Sequence, residues 1–265
     1  WLSGRKDLFQ HIRRSVDSSG KSVWFHFASL GEFEQGRPVI EQLRKLRPDA
    51  TLVITFFSPS GYEIRKNYPL ADHVFYLPLD TRSNAEQFIR LINPEVAVFT
   101  KYEYWFHYFK ILKRNEIPLY MISSIFRKDQ VFFKWYGGLN RKILGYVTHF
   151  FVQNETSRSL LAGLGLSNVT VSGDTRFDRV YENAAHPRDI ERVKRFSEGG
   201  KVLVGGSTWP EDEALLAELA NGRPGWRFII APHEIREAGI ARTEGAFPEA
   251  VRYSTLSAMS PDEPA

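Results

Sequence analysis

The chain contains no cysteine among its 265 residues. Disulfides, cysteine-ligated zinc and a cysteine nucleophile are therefore excluded. It also lacks any run of eighteen apolar residues, so no segment within it has the make-up of a transmembrane helix. Neither G-x-G-x-x-G nor G-x-x-x-x-G-K-[ST] occurs, which removes the dinucleotide fingerprint and the P-loop. H-E-x-x-H, G-x-S-x-G and close His/Asp clusters are missing too, so neither a metal site nor a hydrolase nucleophile elbow is indicated. Charge of one sign is barely in surplus: 35 Lys+Arg stand against 31 Asp+Glu, a formal net charge of +4. The basic residues are dispersed and no nucleic-acid-binding motif accompanies them, which argues against a nucleic-acid partner. Anionic lipid or an anionic substrate fits the mild surplus better.

What is present is ample core material: 43% hydrophobic and 14% aromatic residues, enough for one large or two smaller domains. Apolar runs rich in β-branched and aromatic residues recur at 22–29, 51–57, 73–80, 95–100, 117–124, 149–153 and 168–173. Between them lie segments of helical periodicity. This alternation predicts βαβ units, a mainly parallel sheet and helices on both faces. Pro38 is tolerated only in a helix's first turn, so the helix after the first strand is expected to start near Gly36 and leave Glu32 in a turn. "YEYWFHYFKILKRN" reads as one helix, and "FFKWYGGLNRKILGYV" as an amphipathic helix interrupted at Gly137-Gly138. Residues 1–177 form a first Rossmann-like unit on this reading. Charged, turn-rich 178–200 is a linker. Residues 201–265 restart the pattern with strands at 201–207 and 226–232.

In open α/β sheets ligands bind outside the carboxyl ends of the strands. Those ends carry Ser29, Gly31 and Glu32; Ser58, Ser60 and Gly61; Lys101 and Glu103; Ser123, Ser124 and Arg127; Asp174, Thr175 and Arg176; Ser207, Thr208 and Trp209; and His233 and Glu234. Small residues and hydroxyls at helix starts suit phosphate or carboxylate oxygens. Each also has a plain reading. Glu32 and Glu103 can be first-turn acids, His26 a satisfied interior histidine, and Ser207-Thr208 before Pro210 a helix cap.

Taken in order, "FHFASLGEFEQ", "TFFSPSGYE", "YLPLD", "KYEYW", "FVQNETSRSLLAGLG", "VSGDTRFDRV" and "GSTWPEDE" resemble the 3-deoxy-D-manno-octulosonic acid (Kdo) transferases, from about residue 20 to about 235. The resemblance implies an α/β fold of GT-B type and transfer of Kdo from CMP-Kdo to a lipid A precursor. It implies a place at the cytoplasmic face of the bacterial inner membrane, with an anchor before Trp1. No metal or other cofactor is expected. Glu32 falls on the family's proposed catalytic base. Ser58, Ser60, Gly61 and Glu103 fall on the acceptor side, and Arg127 suits an acceptor phosphate or the Kdo carboxylate. Ser207, Thr208 and His233 fall on the donor side. Two departures stand out. The family's Pro-Arg-His reads Pro232-His233-Glu234 here, and its later glycine-rich and His-Asn-x-x-Glu motifs are not in this chain, so a catalytically incomplete, lipid-binding fragment is one expectation for the chain alone. Another nucleotide-sugar enzyme of the same fold is the other. The basic aromatic stretch 126–144 reads either as a core-packing helix or as a surface that rests on anionic headgroups.

Overall fold

The computed structural model describes residues 5, 7–187 and 190–258. The chain divides into two compact units, Trp1–Ala185 and His186–Ala265.

The first unit runs α1 (Leu8–Ser15), β1 (Ser22–Phe27), α2 (Leu30–Leu46), β2 (Thr51–Phe56), α3 (Pro59–Arg65), β3 (His73–Tyr76), α4 (Arg82–Ile92) and β4 (Pro94–Thr100). It continues through α5 (Phe106–Arg114), β5 (Leu119–Ser124), a 3₁₀ turn (Val131–Phe133), α6 (Gly138–Leu144), β6 (His149–Val152), α7 (Glu155–Ala162), β7 (Val169–Val171) and α8 (Arg176–Ala185). The seven strands form one sheet in the order β3-β2-β1-β4-β5-β6-β7, and every pair is parallel. The chain therefore winds outward from β1 in one direction, returns to the centre, and winds outward from β4 in the other. The reversal lies between β1 and β4, and in such sheets that crevice is the binding point.

β1 is buried along its whole length. Its side chains alternate between faces. Val23, Phe25 and Phe27 join Phe33 and Ile40 of α2 and Ile54 and Phe56 of β2 in one core. Trp24 joins Phe88 and Ile89 of α4, Phe109 and Leu112 of α5, and Leu8 and Ile12 of α1 in the other.

Three expectations are corrected and one element is added. α2 begins at Leu30, not near Gly36, so Glu32 lies in its first turn and Pro38 in its interior. The burial of Phe33, Gly36 and Ile40 on β1 outweighs the lost backbone bond at Pro38. Gly36 permits that contact, since a Cβ there would sit 2.2 Å from the Phe27 ring. α5 starts only at Phe106 because Lys101 takes a left-handed φ of 57° and turns the chain. Glu103 is therefore a loop residue. The stretch 131–144 is a 3₁₀ turn followed by α6 and not one interrupted helix: a Cβ on Gly137 would lie 1.9 Å from the carbonyl oxygen of Val131, so this close turn requires glycine there. Finally, α1 was not anticipated, although Leu8 and Ile12 share a helical face.

The second unit holds α9 (Glu191–Ser197), β8 (Lys201–Thr208), α10 (Pro210–Asn221), β9 (Trp226–Pro232), α11 (Glu237–Ala246) and α12 (Tyr253–Ala258). β8 and β9 pair in parallel as a two-stranded sheet. The stretch 178–200, read as a linker, is shared between α8 of the first unit and α9 of the second.

Candidate active site

β1 delivers Ser29 and Glu32 to one side of the switch point. Ser29 is the N-cap of α2, yet its hydroxyl does not bond the free N–H groups of the first turn. It donates instead to Glu32 Oε2. This serine fixes one carboxylate oxygen, and Oε1 carries no hydrogen bond among the described residues. Glu32 is half-buried and faces the positive end of the α2 dipole.

β4 delivers Glu103 to the other side. Its Oε2 accepts Trp105 Nε1–H at 2.9 Å and lies 3.2 Å from Nε2 of the fully buried His26. Its side chain is 16% exposed, so it is not a solvated acid. Asp80, just before α4, serves α5 across space: its carboxylate accepts the backbone N–H groups of His107 and Tyr108 at 3.0 and 3.2 Å. Thr81 caps α4. The string "YLPLD" thereby anchors the loop that carries Glu103.

"SGDTR" closes the crest from the far side. Thr175 Oγ1 donates to the carbonyl of Gln35 in α2 at 2.5 Å and lies 2.8 Å from Ser123 Oγ at the end of β5. Asp174 Oδ1 accepts Gln35 Nε2–H at 2.9 Å, and its Oδ2 accepts two N–H groups of Arg176 at 2.9 and 2.6 Å. Burial would raise this carboxyl, but the bonds from Arg176 and Gln35 outweigh it and pull the pKa down to about 2.

Ser58 and Ser60 sit after β2. Ser58 accepts the N–H of Ser60 at 3.2 Å and their hydroxyls lie 3.0 Å apart, capping α3. Gly61 is buried, and a Cβ there would meet the Phe56 ring at 2.3 Å. Arg127 is exposed and lines a cavity of about 450 Å³ with Tyr102, Tyr104 and Gln130. That cavity joins the Glu103 loop to the loop after β5. The Tyr104 hydroxyl is buried there without a partner among the described residues. A larger depression of about 800 Å³, lined by Lys21, Arg90, Asn93 and Arg114, lies at the amino end of β4, away from the switch point.

In the second unit Ser207 adopts a left-handed φ of 59°. Its hydroxyl lies 2.7 Å from His233 Nδ1, and the Trp209 ring stacks on His233 at 4.5 Å. Ser207 and His233 are thus brought together at an exposed corner. Thr208 points inward and donates to the buried Glu213, whose other oxygen accepts from Thr243 at 2.9 Å. Among the described residues no group of three or more His, Asp or Glu is arranged to hold a metal ion.

Sequence reading missed Thr55, Trp105 and Gln35. Thr55 and Gln35 work through partners from other strand ends, so no local spacing announces them; Trp105 lies only two residues from Glu103, in a stretch that reads as helix.

A family model described as 3-deoxy-D-manno-octulosonic-acid transferase (kdotransferase) matches residues 5–179. A 3-deoxy-D-manno-octulosonic acid transferase of Chlamydia muridarum is 26% identical over 83% of this chain and 53% of its own length. One of Chlamydophila psittaci is 27% identical over 87% of this chain and 55% of its own. The chain thus spans about half the length of these curated relatives. Among solved structures, the UDP-GlcNAc 2-epimerase of Neisseria meningitidis superposes with a TM-score of 0.60 at 16% identity, over 87% of this chain and 70% of that one. This likeness places the α/β fold in the GT-B class. With its matching model and these relatives, the chain belongs to the Kdo transferase family.

Proposed function

We propose that the protein is a glycosyltransferase of lipopolysaccharide biosynthesis that moves Kdo from CMP-Kdo to a lipid A precursor, with Glu32 as general base. The carrying observation is the pair of carboxylates, Glu32 and Glu103, on the two sides of the β1/β4 switch point. Their environments differ. Glu103 Oε2 meets two N–H groups, which suits a binding group held in place. Glu32 takes a single hydroxyl donor and keeps Oε1 open, which suits a proton acceptor. In the reaction a sugar hydroxyl of the acceptor attacks the anomeric carbon of Kdo. The new C–O bond forms as the bond to the CMP phosphate breaks, the electron pair leaves with the phosphate, and the hydroxyl proton passes to Glu32 Oε1. No step calls for a metal or cofactor. Ser58 and Ser60 edge the acceptor side. Arg127, with no ion-pair partner among the described residues, takes an acceptor phosphate or the Kdo carboxylate, since a guanidinium grips such groups bidentately. On the second unit Ser207 and His233 meet the donor, and Thr208 supports them from inside.

The loop that carries Arg127 continues into Trp135 and Tyr136, which are 90% and 63% exposed, with Leu139 at 65%. Arg141 holds this turn by donating to the carbonyls of Phe132 and Lys134 at 3.1 and 2.7 Å. Aromatic residues beside lysines favour a membrane interface. This surface rests on the anionic inner membrane at its cytoplasmic face, and Arg127 meets the lipid acceptor there. Among the described residues no helix is long and apolar enough to cross a membrane.

The test uses the protein as the cell makes it, supplied with CMP-Kdo and a lipid A precursor. Kdo-bearing lipid should form with CMP-Kdo and not with UDP-sugars. Glu32→Gln should lower turnover by about 10²–10⁴-fold, the usual worth of a positioned base. Wild-type turnover in the variant refutes the base; product from a UDP-sugar alone refutes the donor.

A further inference from the structure

A line of hydrogen bonds runs from the interior of the sheet to Glu103. Trp24 Nε1 donates to Thr55 Oγ1 at 2.8 Å. Thr55 Oγ1 lies 2.9 Å from His26 Nδ1, and His26 Nε2 lies 3.2 Å from Glu103 Oε2. Trp24, Thr55 and His26 are all 0% exposed. The strand register explains the placement: His26 of β1 is paired with Thr55 of β2 and Phe99 of β4, so its ring is walled in on both sides.

The direction of each bond follows from what the groups can do. Indole only donates, so one lone pair of the Thr55 hydroxyl is taken by Trp24. A carboxylate oxygen only accepts, so His26 must present Nε2–H to Glu103. In a neutral imidazole the other nitrogen then accepts. The Thr55 hydroxyl hydrogen completes the line by pointing at Nδ1. With this tautomer every polar atom along the line has a partner of the opposite kind. With Nδ1–H instead, the Nε2 lone pair would face the carboxylate, and the Thr55 hydrogen would fall back on the Phe25 carbonyl at 3.3 Å. An unmet acceptor beside a partly buried carboxylate is costly, so the first arrangement wins.

The far end of the line is open. Both donors to Glu103, from His26 and Trp105, meet Oε2. Oε1 has no hydrogen bond among the described residues, on a side chain that still reaches solvent at the strand ends.

We propose that Trp24, Thr55 and His26 form a positioning relay that holds Glu103 by one oxygen and presents the other as a fixed acceptor for a hydroxyl of the acceptor sugar, one that does not react. This rests on the transferase reading given above. Glu103 touches substrate; His26 and Thr55 act through it. The relay would matter because a loop carboxylate on its own sweeps several rotamers, and ordering it on binding costs affinity.

Two readouts test it in the enzyme as the cell makes it. The first is the ¹⁵N spectrum of the His26 imidazole, which reports the tautomer whether or not the protein transfers anything. Wild type and Thr55→Ser should show Nε2–H with a hydrogen-bonded Nδ1; Thr55→Val should keep Nε2–H, because Glu103 still demands a donor, but move the Nδ1 resonance to that of an unbonded nitrogen. An Nδ1–H ring in wild type overturns the relay, and this reading stands even if the valine variant does not fold. The second is steady-state kinetics. Thr55→Val should raise the acceptor KM by up to about tenfold, the scale of one net hydrogen bond, with the CMP-Kdo KM unmoved, and Thr55→Ser should restore it. An unchanged acceptor KM, or an equal rise for both substrates, overturns the positioning role. Absence of transfer by wild type overturns the transferase reading and the substrate role of Glu103, while the spectrum still decides the relay.

Discussion

Replacing Asp174 with asparagine tests how the candidate site is held together. The carboxylate lies at the start of α8 with a side chain only 7% exposed, and it grips both Arg176 and Gln35 of α2. Its pKa falls from 3.8 to about 2 on folding, because the bonds from Arg176 and Gln35 more than offset burial. At 1.36 kcal/mol per pKa unit this lowering is worth about 2.5 kcal/mol. Arg176 is 58% exposed, so solvent screens the pair and about 1–2 kcal/mol is the expected yield. The sign follows from a depressed acid. The contribution is complete above the unfolded pKa near 4 and is lost as pH falls toward 2. Urea unfolding at pH 7 should therefore show Asp174→Asn less stable by about 1–2 kcal/mol. The gap should close between about pH 4 and pH 2 as the wild-type group protonates. A gap that stays constant over that range, or no gap at pH 7, refutes the argument that this charge ties α8 to α2.

Gly36→Ala would drive a Cβ to 2.2 Å from the Phe27 ring and should cost about 1–3 kcal/mol by overpacking; an unchanged urea midpoint counts against the α2–β1 contact. Asp80→Ala removes the acceptor for two N–H groups at the start of α5 and should cost about 1 kcal/mol. It should also weaken acceptor binding more than donor binding, which separate KM values would show. Trp135→Ala with Tyr136→Ala should cut cosedimentation with phosphatidylglycerol vesicles several-fold while circular dichroism stays unchanged; equal sedimentation would sink the membrane-resting surface.

Much of the fold was legible because the central strands are short apolar runs that their neighbours bury. The β1 run from Ser22 to Phe27 needs no partner information to be recognised. The helix starts were less so. Pro38 argued locally for a late start of α2, and only the packing of Gly36 on Phe27 overrides it. Glu103 looked like a helix acid because nothing in "TKYEYW" announces that Lys101 turns the chain through a left-handed conformation. The candidate carboxylates could be named from strand-end position and resemblance. Their environments could not, since the local partners Ser29 and Trp105 come into place only through the turns that carry them. His26 was read as a satisfied interior histidine and is one; that its second nitrogen meets Glu103 depends on the β1–β4 pairing, which joins residues more than seventy positions apart.

That pairing has a kinetic consequence. Ser22 and Val23 meet Pro94 and Val96, whereas β1 meets β2 across a much shorter loop. Closing the longer loop costs more chain entropy before any contact repays it. The β1–β2–β3 and β4–β7 halves each grow by local βαβ steps, and their junction is the non-local event. Glu32 and Glu103 come from opposite halves, so the two carboxylates flank one crevice only when that late seam forms. Refolding chains should regain most of their helical signal before the seam closes and the site exists.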